Sequence, residues 1–71
     1  MNLTVISVSI NGIARPVAQT TSIADLVRQM GLEGKRVALE RNGEIVPRSQ
    51  FPQLMLTDGD HLEIVVAVGG G

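Results

Sequence analysis

HLEIVVAVGGG, residues 61–71, is the stretch on which the fold turns. Its polar residues come first, and Ile64 to Val68 then form an unbroken apolar run. A β-branched run bounded by a turn sequence, here TDGD at residues 57–60, reads as a buried strand. The run contains no proline, so nothing bars it from the middle of a sheet. Gly69, Gly70 and Gly71 follow it. Glycine offers no side chain to bury and loses the most conformational entropy on ordering. Such a tail is either a frayed end or a working part made of bare backbone and a terminal carboxylate.

Prolines place the other strands around this one. A strand carrying proline cannot donate at that position and is confined to an edge. Leu3 to Ile10 alternates, with Ile6, Val8 and Ile10 on one face and Ser7 and Ser9 on the other, which is the period of a half-buried strand. Asn11-Gly12 then leads into IARPV, and Asn-Gly between strand-like runs signals a type I′ hairpin. VALER, Asn42-Gly43 and EIVPR repeat the pattern. Pro16 puts the second strand on one edge and Pro47 the fourth on the other, leaving the fifth between the first and third, in order 2-1-5-3-4.

The segment TTSIADLVRQMG supplies one helix. Ile23, Leu26, Val27 and Met30 make a single stripe. Ser22 and Asp25 match a capping box, Arg28 suits the last turn, and Gly31 suits a left-handed C-terminal cap. SQFPQLML reads as irregular chain or a single short helical turn broken at Pro52. The whole is an α+β domain: a five-stranded mixed sheet with one main helix on one face. Ile6, Val8, Ile10, Val37, Leu39, Leu62, Ile64, Val66 and Val68 are expected to face the helix stripe. Residues 1–68 form the domain and residues 69–71 a flexible tail. Three residues reach at most roughly 10 Å beyond the last strand.

With 71 residues the chain is one domain, near the lower size for an unaided core. A formal charge of −1 and a single aromatic, Phe51, argue against nucleic-acid and membrane partners. The absence of cysteine excludes disulfides, thiolate metal sites and a thiol nucleophile. The N-terminus has no basic region before its apolar run and reads as a strand rather than a signal peptide. A cytoplasmic location is expected, with no metal.

The titratable residues suggest no catalyst. His61 has no second ligand or nucleophile spaced to use it, and it is expected to face solvent with Glu63. Asp58 and Asp60 flank Gly59, where aspartate serves turn hydrogen bonding. Glu33 to Arg36 read as a solvated loop, and Arg48 as either a solvated side chain or a partner contact. Val65 and Ala67 alternate with the inward set and, with Ala38 beside them, would form a small exposed apolar patch suited to docking.

Taken together, SINGIARPV, TSIADLVRQMGL, VALERNGEIVPRSQF and LTDGDHLEIVVAVGGG resemble the ThiS family, the sulfur carriers of thiamine biosynthesis among ubiquitin-like β-grasp proteins. The resemblance covers nearly the whole chain. It departs from the family in an early first strand and a third glycine, neither of which alters the last two positions. It implies a protein that is a substrate and not an enzyme, with no bound cofactor. A ThiF-like adenylating enzyme would use ATP to convert the Gly71 carboxylate to an acyl-adenylate. Sulfur from a cysteine desulfurase system would then give a terminal thiocarboxylate, which thiazole synthase would consume. Gly69 and Gly70 would thread the partner's active site, since a backbone without Cβ atoms passes where other residues would block. The small subunit of molybdopterin synthase, a protein-conjugating modifier and a passive interaction module remain alternatives.

Overall fold

A computed structural model describes residues 4–67. Its strands are β1 (Val5–Ile10), β2 (Ile13–Ala18), β3 (Val37–Arg41), β4 (Glu44–Ile45) and β5 (His61–Val66). One helix, α1 (Ile23–Gln29), and a 3-10 turn, Arg48–Gln50, complete the elements. The sheet order is β2-β1-β5-β3-β4, as the proline argument requires. β1 and β5 run parallel, and the other pairings are antiparallel.

Both hairpins turn on left-handed Asn-Gly pairs. Asn11 and Asn42 have φ of 51° and 52°, and the glycines after them both have φ of 85°. That pair of positive values defines the type I′ turn, and it closes Ile10 onto Ile13 and Arg41 onto Glu44.

The helix begins as the sequence indicates. The Ser22 hydroxyl accepts from the Asp25 N–H at 3.0 Å, and the Asp25 carboxylate accepts from the Ser22 N–H at 3.2 Å. The Ser22 N–H first, and then the Ser22 hydroxyl beside the carboxylate, hold the Asp25 carboxyl below its ordinary value, with Arg28 adding to the effect. Gly31 adopts φ of 75° and closes the C-terminus, its N–H donating to the Arg28 carbonyl. Ile23, Leu26 and Val27 are buried, and Met30 is half-buried at the cap.

Several residues of the core lie outside the expected set. Ile6, Val8, Ile10, Leu39, Leu62 and Ile64 are buried as anticipated, while Val37 and Val66 are half-buried. Val68 lies outside the described residues. Val17, Val46, Phe51 and Leu56 join the core as well. Phe51 and Leu56 arrive on the irregular segment after β4, which serves the helix. The carbonyls of Leu54 and Phe51 accept from the Ile23 and Ala24 N–H groups at 2.9 and 3.0 Å. A helix N-terminus has N–H groups without intrahelical partners, and here the folded loop supplies acceptors.

Pro47 corrects one expectation. The fourth strand ends at Ile45, so Pro47 is not within it. Val46 still donates to the Leu39 carbonyl at 2.9 Å, and Pro47 then caps the 3-10 turn. β4 is an edge strand, but it is short because the chain bends away at the proline.

Candidate functional site

The tail residues Gly69, Gly70 and Gly71 lie outside the described residues, as does Val68. What the structure shows is the support from which they leave. β5 lies between β1 and β3. On the β3 side it pairs from Leu62↔Arg41 to Val66↔Val37, and the Ala67 N–H donates to the Arg36 carbonyl at 2.9 Å. The chain is therefore held in the sheet up to Ala67.

On the β1 side the ladder is shorter. Only Ser9↔His61 and Ile10↔Leu62 pair before β1 turns away at Asn11. The Asn11 side chain then takes the place of a further rung. Its Oδ1 accepts from the Ile64 N–H at 2.8 Å, and its Nδ2 donates to the Ile64 carbonyl at 3.1 Å. Asn42 does similar work at the other end of β5, its Oδ1 accepting from the His61 N–H at 2.9 Å. Each turn asparagine thus fastens the central strand.

The expected patch assembles. Ala38 stands opposite Val65 in register, and Ala38, Val65 and Ala67 are all exposed, with Val65 at 65%. They line an open groove of about 270 Å³ together with Arg36, Val37 and Arg48. Arg48 is thereby at a surface suited to partner contact, while Arg36, expected only in a solvated loop, joins the same rim. Ile45 extends the apolar surface, being 78% exposed and opposite Glu40. No local sequence signal marks Arg36 or Ile45, because their placement depends on the cross-strand register.

Of the two aspartates expected to serve turn hydrogen bonding, Asp60 bonds within the turn, while Asp58 bonds across to β1. Asp58 accepts from the Ser7 N–H at 2.8 Å. Asp60 is buried, and its carboxylate accepts from the Thr57 N–H, the Asn42 amide and the Arg41 guanidinium at 2.8, 3.1 and 3.0 Å. Burial pushes the Asp60 carboxyl up, but these donors and the Arg41 charge outweigh it and hold it below the ordinary carboxylate value. The exposed His61 ring has Nδ1 2.8 Å from the Ser9 hydroxyl. No described carboxylate bonds to that ring, so the pair lacks the third group that orients a catalytic base. Among the described residues, no group of three His, Cys, Asp or Glu is placed to hold a metal. No described helix is long and apolar enough to cross a membrane.

A sheet that grips one helix and fastens its last strand at the centre has close relatives. The model of the ThiS family matches residues 8–71, the terminal glycines included. The chain belongs to the ThiS family. The Sulfur carrier protein ThiS of Bacillus subtilis is 44% identical over 52 residues, covering 73% of this chain and 79% of that one. The solved thiamine biosynthesis protein ThiS of Geobacter metallireducens has a TM-score of 0.78 at 28% identity, covering 93% of this chain and all of its own. A thiazole synthase of Paramagnetospirillum magneticum is 44% identical over 62 residues, 87% of this chain. The chain spans only 19% of that thiazole synthase's length. The ThiS neighbour fixes the fold as a ubiquitin-like β-grasp.

Proposed function

We propose that this ThiS-family chain is the sulfur carrier of thiamine biosynthesis and that it works through its Gly71 carboxylate. The observation that carries the reading is the family match running through the last residue. The likeness to a thiazole synthase supports thiazole formation as the destination of the sulfur. The protein acts as a substrate of its partners, in the cytoplasm, and holds no cofactor of its own.

The chemistry explains the tail. A terminal carboxylate has a pKa of about 3.5, so it is ionised at neutral pH and is a poor electrophile. Its oxygen attacks the α-phosphorus of ATP bound to a ThiF-like adenylating enzyme and displaces pyrophosphate. The product is a mixed anhydride with a good leaving group, which must be kept from water. The outer sulfur of a persulfide carried by a cysteine desulfurase system attacks the acyl carbon and displaces AMP. A second thiol of that system then attacks the resulting acyl disulfide, forming a disulfide with the former persulfide cysteine and releasing the thiocarboxylate. Thiazole synthase then takes that sulfur. Gly69 and Gly70 thread the enzyme's channel, and the Ala38, Val65 and Ala67 patch docks the domain beside it. Docking offsets the ordering cost of the tail.

Intact mass tests the reading. The chain is incubated with ATP, its cognate adenylating enzyme and a sulfur donor. Exchange of one oxygen for sulfur at the terminus is the expected result. An unchanged mass, with the enzyme shown to be active, would overturn it.

A further inference from the structure

Charge on the open sheet face is sorted, and part of the sorting works against the fold. Glu40 and Glu63 stand directly opposite each other in the β3–β5 register, and both are exposed. They share a face with Ala38 and Val65, since Leu39, Leu62 and Ile64 alternate with them and are buried against the helix. Like charges directly opposed across an antiparallel pair destabilise a sheet. No ion pair among the described residues includes either glutamate. Arg41, beside Glu40 in sequence, is engaged by Asp60, and Arg28 by Asp25 and Glu33.

The cations lie at the other end of the same strip. Lys35, Arg36 and Arg48 belong to none of the ion pairs among the described residues. Arg36 and Arg48 rim the groove at Ala38, Val65 and Ala67, where β5 leaves the sheet. Lys35 and Arg48 border the adjoining cleft against Val37 and Phe51. The strip therefore reads, from the tail inward, as cationic rim, apolar middle and acidic pair. Four strand steps separate Ala67 from Glu63, which is roughly 13 Å.

We propose that this strip docks the adenylating enzyme in a single orientation, with charge order setting the direction in which the tail enters. Glu40 and Glu63 receive one guanidinium or ammonium of the enzyme, and Arg36 and Arg48 meet a carboxylate near the mouth of its channel. A guanidinium between two carboxylates relieves their repulsion and can bond both. The assignment goes to the enzyme because the apolar middle runs directly into the residue before the tail. Complementary charge of this kind raises the association rate and rejects the reversed orientation. The inference rests on the carrier reading above and adds the chemistry of the partner's surface.

Pyrophosphate release by the cognate adenylating enzyme, measured against carrier concentration at several salt concentrations, tests it. Melting temperature is recorded in parallel. The variant E40Q/E63Q loses the repulsion and should melt above the wild type, yet its KM should rise about tenfold with kcat held and with a weaker salt dependence. A misfolding variant could not combine those results. R36Q/R48Q should raise KM comparably without the gain in melting temperature. An unchanged KM in E40Q/E63Q overturns the proposal while leaving the carrier reading intact. Wild-type chain that an active enzyme fails to adenylate sinks the carrier reading first, and this inference with it. A second copy turned end for end would present the same charge order. A wild-type dimer in sedimentation, dissolved by E40Q/E63Q with KM unchanged, would therefore assign the strip to self-association and overturn the proposal.

Discussion

Asn11 and Asn42 each do two things at once. Their backbones take the left-handed conformation that a type I′ turn demands, and their side chains fasten β5. The first role was legible in the letters Asn-Gly. The second was not, because it depends on β5 arriving in one register, 53 residues after Asn11 and 19 after Asn42. Asn11→Asp isolates the second role, since aspartate also tolerates the left-handed region. It keeps the oxygen that accepts from the Ile64 N–H but sets a second oxygen against the Ile64 carbonyl. The expected cost at neutral pH is about 1–2 kcal/mol, read from urea unfolding. Protonation turns that oxygen into a donor, and the carbonyl facing the charge raises the folded-state pKa above the unfolded value of about 3.9, so the deficit should narrow as pH falls from neutral towards about 4 and change little below that. An equal deficit at both pH values would show that the clamp is not what was lost.

At the level of elements, the loop from Met55 to Asp60 is locked to β3 by Arg41. Its guanidinium reaches the Asp60 carboxylate, the Met55 carbonyl and the Thr57 hydroxyl at 3.0–3.1 Å. Asp60 sits below its ordinary carboxylate value when folded. A group depressed in this way contributes stability above its unfolded pKa, about 3.9, and that contribution is lost as pH falls through the folded pKa. Stability should therefore drop as pH is lowered from about 5, with Asp60 a principal cause. Asp60→Asn should cost about 2 kcal/mol at neutral pH, because a nearly buried charged acceptor is replaced by a neutral one. Urea midpoints across the acid range check this: the slope should be shallower in Asp60→Asn than in the wild type. The helix shows the opposite case for sequence reading. Ser22, Asp25 and Gly31 are local signals, and the structure uses each as its letters indicate. Phe51 and Leu56 lie on a segment with no periodicity, so their burial followed from tertiary packing that no local pattern announces.

For the whole molecule, the strand order was legible because Pro16 and the two Asn-Gly turns are constraints of backbone chemistry, independent of what packs around them, whereas Pro47 lies past the end of β4 and marks that edge only by ending the strand. The exposed apolar patch at Ala38, Val65 and Ala67 was legible only as alternation along β5. Its neighbours Ile45, Arg36 and Arg48 needed the pairing of β3 with both flanking strands. The same architecture separates stability from reactivity. Every buried apolar residue among those described lies between Ile6 and Ile64, and Ala67 is already exposed. The tail glycines bring no side chain to that core. Truncation after Val68 should therefore leave the unfolding free energy within about 0.5 kcal/mol of the wild type. The same truncation should abolish sulfur incorporation, since the carboxylate would then end three residues short of the adenylating centre. Adding a single residue after Gly71 should do likewise by displacing the acyl carbon in the opposite direction. Thermal melts paired with intact mass decide the matter. Sulfur incorporation surviving either change would mean that the reactive carbon is not fixed by its distance from the central strand.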